Sequence, residues 1–141
     1  MANQLPENSD IFDVLLEKLK GRSASVGIIG LGYVGLPLAK LFLQRGFRTY
    51  GFDTDPSKPA HLRKGHSYIR HVDATSFPSA IEDGRLIVTD DMQRLDEPDA
   101  LIMCVPTPLT ASRDPDLQFI EATAKNIAAR LRIGQLVILE S

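Results

Sequence analysis

"VGIIGLGYVGLPLAKLF", residues 26–42, decides the fold. Its first four residues include three β-branched ones and read as a short strand of the buried type. Three glycines, Gly30, Gly32 and Gly35, then fall within six residues, and a Leu-rich run with helical spacing follows. In a strand–turn–helix of this spacing, Gly30 allows the tight turn. Gly32 lets a ligand approach the backbone, and Gly35 lets the helix press on the strand. The helix N-terminus offers unpaired N–H groups and a positive dipole end to an anion. A pyrophosphate is therefore the expected visitor, and G-x-G-x-x-G in this context is the dinucleotide fingerprint.

Glycines also serve bare turns that need positive φ, so the loop alone is weak. The second half of the fingerprint is an acid about 20 residues onward, at the end of the next strand. Asp53 closes "RTYGFD" in that position. Its carboxylate would accept hydrogen bonds from ribose hydroxyls and repel a 2′-phosphate, which favours NAD over NADP. Arg48 opens the same strand, so it belongs at the opposite edge of the sheet. Asp55 is better explained as a helix cap, with Pro56 at the first helical position.

Outward from this unit, strand and helix patterns alternate. A helix from Tyr33 ends at Gly46, "RTYGFD" is the second strand, and "DPSKPAHLRKG" is a short helix. A loop and a helix near residues 78–83 fill 65–84. "RLIVTDD" and "ALIMCVP" are strands three and four, "DPDLQFIEATAKNIAARLRIG" is a long helix, and "QLVILES" is strand five. This order predicts an α/β fold: a Rossmann-type, doubly wound parallel sheet in three layers, with at least five strands covered on both faces. Ahead of it, residues 1–9 are polar and expected to be loose. "DIFDVLLEKLK" carries Ile11, Phe12, Leu15, Leu16 and Leu19 on one face of an extra N-terminal helix that Gly21 stops. We expect 1–24 to be an extension with this amphipathic helix and 25–141 to be the NAD-binding domain.

With 141 residues, 43% of them hydrophobic, the chain suffices for one domain. A net charge of −2 with interspersed signs gives no basic stripe for nucleic acid or an anionic membrane. A single cysteine, Cys104, cannot form an internal disulfide. The start lacks a secretory signal, and no apolar run approaches the roughly 20 residues of a membrane span. The expected compartment is the cytoplasm. His61, His66 and His71 do not share a helix face and have no ligand cluster around them, so they read as surface residues and no metal site is expected. Arg113 and Asp114 read as solvated loop charges. An end at Ser141, directly after an apolar strand, suggests part of a longer protein.

"GLGYVGLPLA", "GFDTDPSK", "CVPTPL", "DPDL" and "VILES", in this order and spacing, resemble the N-terminal domain of the UDP-glucose/GDP-mannose dehydrogenase family from Val26 to Ser141. "GHSYI" and "LES" look most like the branch acting on UDP-N-acetylhexosamines. The resemblance implies a parent that oxidises the C6 alcohol of a UDP-sugar to the uronate. The sugar would be UDP-N-acetylglucosamine or UDP-N-acetylmannosamine, with two NAD+ consumed through a thioester on a cysteine. UDP-glucose and GDP-mannose are alternative substrates. It implies a homo-oligomeric parent in surface-polysaccharide precursor synthesis, and a sugar site in a later domain, so that this piece alone holds no catalytic residue. Cys104 lies inside an apolar strand and reads as a buried packing residue rather than the family thiolate.

By resemblance, Gly30, Gly32 and Gly35 match the phosphate loop, with Tyr33 and Val34 supplying N–H groups, and Asp53 matches the ribose acid. Lys58 matches a basic position after it, although Pro59 disfavours α geometry there. Val105, Pro106 and Thr107 match the turn lining the cofactor, and Glu140 and Ser141 the entrance to the next cofactor loop. Two competing readings are a stand-alone NAD-sensing module and an enzyme of the 3-hydroxyacid or 6-phosphogluconate type.

Overall fold

The computed structural model describes residues 8–140; residues 1–7 of the tail expected to be loose, and Ser141, lie outside them. Five strands, Ser25–Ile29 (β1), Arg48–Phe52 (β2), Leu86–Thr89 (β3), Ala100–Met103 (β4) and Leu136–Leu139 (β5), alternate with helices. The helices are Asn8–Lys20 (α1), Gly35–Gln44 (α2), Ser57–Arg63 (α3), Phe77–Glu82 (α4) and Gln118–Ala128 (α5). The sheet is parallel throughout, in the order β3-β2-β1-β4-β5. From β1 the chain winds one way to β2 and β3, then crosses back to place β4 on the other side of β1. The reversal leaves a crevice at the carboxyl ends of β1 and β4, where ligands of such sheets bind.

Alternation along the strands divides the core in two. Val26 and Ile28 of β1 join Leu86, Val88 and Ile102 on the face covered by Leu36, Ala39 and Leu43 of α2, Leu62 of α3, and Phe77 and Ala80 of α4. Ile29, Tyr50, Phe52, Leu101 and Met103 form the other face, with Ile127 of α5 and Leu95 of a 3₁₀ helix at Met92–Asp96. That 3₁₀ helix falls where the hydrophobic pattern predicts only a connection. The three layers are thus as expected, but cover is uneven. Residues of β5 are 38–51% exposed, and Leu117 just before α5 and Phe119 in its first turn are about half exposed.

α1 lies at the amino edge of the sheet. Asp99, just before β4, accepts hydrogen bonds from the Ser25 N–H at 2.9 Å and from Lys18 Nζ of α1 at 3.2 Å. The Arg132 guanidinium reaches the same carboxylate at 3.3 Å. Ile11, Leu15, Leu16 and Leu19 are half-buried, as their stripe predicts, but Phe12 is 65% exposed and does not share that face. The helix ends at Lys20, directly before Gly21 as the sequence predicts, and the left-handed residue that follows is Arg22 (φ 59°). α5 is shorter than its periodic pattern: Leu117 precedes its first turn, and a turn over residues 132–135 brings Gly134 (φ 89°) beside Ile11.

Candidate functional site: the cleft at the carboxyl edge

The glycine loop sits at the carboxyl end of β1, against the start of the loop after β4. Gly30 has φ 95°, and a Cβ there would stand 2.6 Å from the Cys104 carbonyl oxygen. A Cβ on Gly35 would overlap the Gly30 carbonyl, so α2 packs on the loop with no room for a side chain. Gly32 differs: a Cβ there would meet no protein atom within 4 Å. The space it keeps clear is therefore not used by the fold.

That space belongs to a cleft of ≈ 730 Å³ walled by the loop, the end of β2, the segment after β4 and one side of α5. Gly30, Gly32, Tyr33, Val34, Asp53, Lys58, Val105, Pro106, Thr107 and Glu140 all line it, so the fold brings the site residues foreseen from sequence to one place. Gly35 stands behind the wall, and Ser141 lies outside the described residues. Neither Tyr33 nor Val34 donates its backbone N–H to another described residue, and both residues are exposed.

Asp53, 7% exposed, is the hub of a hydrogen-bond cluster at the end of β2. It accepts from the Leu31 N–H at 2.8 Å, from the Asp55 N–H at 3.0 Å and from Lys58 Nζ at 3.0 Å. Lys58 attains this pairing in spite of Pro59, which falls in the first turn of α3, where a helix N–H has no intrahelical partner to lose. Asp55 caps that turn, its carboxylate accepting from the Ser57 N–H at 2.9 Å and Oγ at 2.6 Å, which holds it below the usual carboxylate range. Pro56 stands at the helix boundary rather than as its first residue. Arg48 is at the far edge of β2, stacked on Tyr50 at 5.6 Å.

Cys104 corrects an expectation: it is half-buried and forms part of the cleft wall. Burial, then the charge of Glu140, pushes its thiol up to about 11, so it is held as a neutral thiol. The three histidines are exposed, as are Arg113 and Asp114. Among the described residues no cluster of three or more His, Cys, Asp or Glu could hold a metal ion, and no helix is long and apolar enough to cross a membrane.

Two groups of lining residues escaped sequence reasoning. Phe119, Ala122, Thr123 and Asn126 of α5 face the cleft rather than the core. Their i, i+3, i+4, i+7 spacing was the available signal. Tyr68 is the other: its hydroxyl donates to the Leu31 carbonyl at 2.7 Å, and its ring lies 5.9 Å from Lys58 Nζ. It sits in the irregular stretch after α3, where no periodicity marks it.

Residues 24–141 match the model of the UDP-glucose/GDP-mannose dehydrogenase family, NAD binding domain. The chain belongs to this family. It is 36% identical over 119 residues to the UDP-N-acetyl-D-mannosamine dehydrogenase of Escherichia coli K12, a match covering 84% of this chain and 28% of that protein. The structure of UDP-D-ManNAc dehydrogenase from Pyrococcus horikoshii superposes with a TM-score of 0.76 at 32% identity, over 83% of this chain and 28% of that one. A ternary complex of GDP-mannose dehydrogenase from Pseudomonas aeruginosa gives 0.74 at 28% identity, over 81% and 27%. The chain therefore spans less than a third of these relatives. NAD is the cofactor of the matched domain, and the Gly32 space, the undonated N–H groups and Asp53 fit it.

Proposed function

We propose that this chain is the cofactor half of a nucleotide-sugar 6-dehydrogenase acting on a UDP-N-acetylhexosamine, UDP-N-acetylmannosamine or UDP-N-acetylglucosamine. The observation that carries the cofactor role is the empty approach at Gly32 beside the Tyr33 and Val34 N–H groups. In this reading those N–H groups and the dipole of α2 hold the pyrophosphate, and Asp53, paired with Lys58, meets the adenosine ribose. Val105, Pro106, Thr107 and Glu140 line the path toward the reacting end, and Ser141 continues it. Bound NAD+ would supply hydride acceptance at the sugar C6, twice per uronate. The residues described here bind and orient; the thiolate belongs to a further domain. Residues 1–24 are then an accessory extension and 25–141 the cofactor domain, a division supported by a family match that begins at residue 24.

The choice of sugar is supported by the UDP-N-acetyl-D-mannosamine dehydrogenases among the relatives and by "GHSYI". A cytoplasmic homo-oligomer serving polysaccharide precursor synthesis follows from the same reading. The test is turnover by the full-length protein with UDP-N-acetylmannosamine, UDP-N-acetylglucosamine, UDP-glucose and GDP-mannose, read as NADH formed per sugar. Two NADH per UDP-N-acetylhexosamine, with little from the others, is the expected result. Preference for UDP-glucose or GDP-mannose would overturn the substrate assignment. Binding of NAD without turnover of any sugar would favour an NAD-sensing module.

A further inference from the structure

Leu31 lies between the first two glycines of the loop, and its backbone is gripped from both sides. Its N–H donates to Asp53 Oδ2 at 2.8 Å, and its carbonyl accepts from the Tyr68 hydroxyl at 2.7 Å. The Leu31 side chain is buried at 1% exposure, so the residue is fixed at three points. Next in the chain comes Gly32, which has no Cβ and no neighbour that would restrain one. All peptides of the described chain are trans, so the Leu31 carbonyl and the Gly32 N–H project in opposite directions from one rigid plane. Whatever holds the carbonyl sets that plane, and the plane sets the direction in which the chain enters the Gly32–Tyr33–Val34 turn.

We propose that Tyr68 is a positioning residue for the cofactor: by holding the Leu31 carbonyl it presets the turn whose free N–H groups face the pyrophosphate. The assignment rests on the cofactor reading above and adds a residue from outside the strand–loop–helix unit. Two features make Tyr68 suited to this. Lys58 lies over its ring at 5.9 Å while pairing with Asp53 at 3.0 Å, so the ring is held by the same group that serves the ribose acid. Burial, followed by the charges of Asp53 and Asp55, pushes its hydroxyl well above the usual phenol range, so it remains a donor throughout the working pH range. Ile69, the next residue, is buried in the core beneath α3 and α4, which fixes the segment that presents the ring.

The test is Tyr68→Phe, which keeps the ring and removes the donor. NAD and adenosine are titrated into wild type and variant, and the backbone amide resonances of residues 32–34 are followed by NMR. The expected result is an NAD dissociation constant raised about three- to tenfold, the scale of one net hydrogen bond. Adenosine affinity, which involves no phosphate, should be unchanged, and the three amides should shift in the unliganded variant. Unchanged NAD affinity, equal loss of NAD and adenosine, or unmoved amides would each overturn the proposal. Absence of NAD binding by folded wild type would instead defeat the cofactor reading, and the amide resonances would still report whether Tyr68 holds the peptide.

Discussion

The Asp53 carboxylate and the Leu31 N–H, 22 residues apart in sequence, meet at 2.8 Å and join the end of β2 to the glycine loop. An acid expected only to receive a ribose is thus also a strut of the glycine loop. In the proposed function, recognition and local stability share one side chain.

Asp53→Ala should therefore fail twice. It leaves the Leu31 and Asp55 N–H groups and Lys58 Nζ without their acceptor, a loss on the order of 2–3 kcal/mol for a largely buried, partly solvated charge cluster. NAD binding should weaken and discrimination against NADP should shrink. Urea unfolding and calorimetric titration read the two effects separately; full stability with full NAD preference would show that Asp53 is neither strut nor ribose acid.

Gly32 and Gly35 should separate function from folding. Gly32→Ala meets no protein atom, and Gly32 is not among the positive-φ glycines, so its unfolding midpoint should stay close to wild type. NAD affinity should fall about tenfold or more as the methyl enters ligand space. Gly35→Ala drives a methyl into the Gly30 carbonyl and should cost about 3 kcal/mol of stability. Thermal melts with an NAD titration check both; a Gly32→Ala protein that binds NAD normally would remove the pyrophosphate from this loop.

Asp99 gives a pH signature at the other edge of the sheet. Burial acts to raise its carboxyl, but the Ser25 N–H, Lys18 and Arg132 outweigh it and hold the group below the usual range. A folded-state value below the unfolded one stabilises the fold above the unfolded value of about 3.9 and loses that stabilisation as pH falls through the folded value. Asp99→Asn should thus be less stable than wild type at pH 7, by about 1 kcal/mol given the exposure of both cations. The gap should close in strongly acid solution, as measured by urea midpoints across the acid range. A gap that persists unchanged into acid would place its cause elsewhere.

Cys104 should be slow to alkylate near neutral pH, because its thiol is pushed up to about 11. The rate with iodoacetamide should climb about tenfold per pH unit as the thiolate fraction grows. NAD should protect it, since Cys104 lines the same cleft. Rapid modification at neutral pH, or no protection by NAD, is the contrary outcome.

Much of this was legible in the chain because it is local. The turn at residues 30–35 and the acid at 53 carry their own spacing, and strand–helix alternation dictated the parallel sheet. Less legible were features that depend on tertiary contact. Tyr68 reaches Leu31 from an aperiodic loop 37 residues away. The inward face of Phe119, Thr123 and Asn126 looks from sequence like any core stripe until the sheet order places it beside the cleft. Pro59 appeared to disturb Lys58 because the sequence reading starts the helix at Pro56; the helix starts at Ser57, which puts Pro59 at its third position, where proline costs no hydrogen bond. Phe12 shows the converse, an apolar residue whose helical phase carries it into solvent.

Because parallel strands all begin at one edge and end at the other, α1 and the cleft are kept apart by the length of the sheet. The solvent side of α1, with Asp13 and Glu17 exposed, is therefore a handle. A fluorophore or a surface tether placed there would report on or immobilise the molecule without standing in the route by which a nucleotide enters.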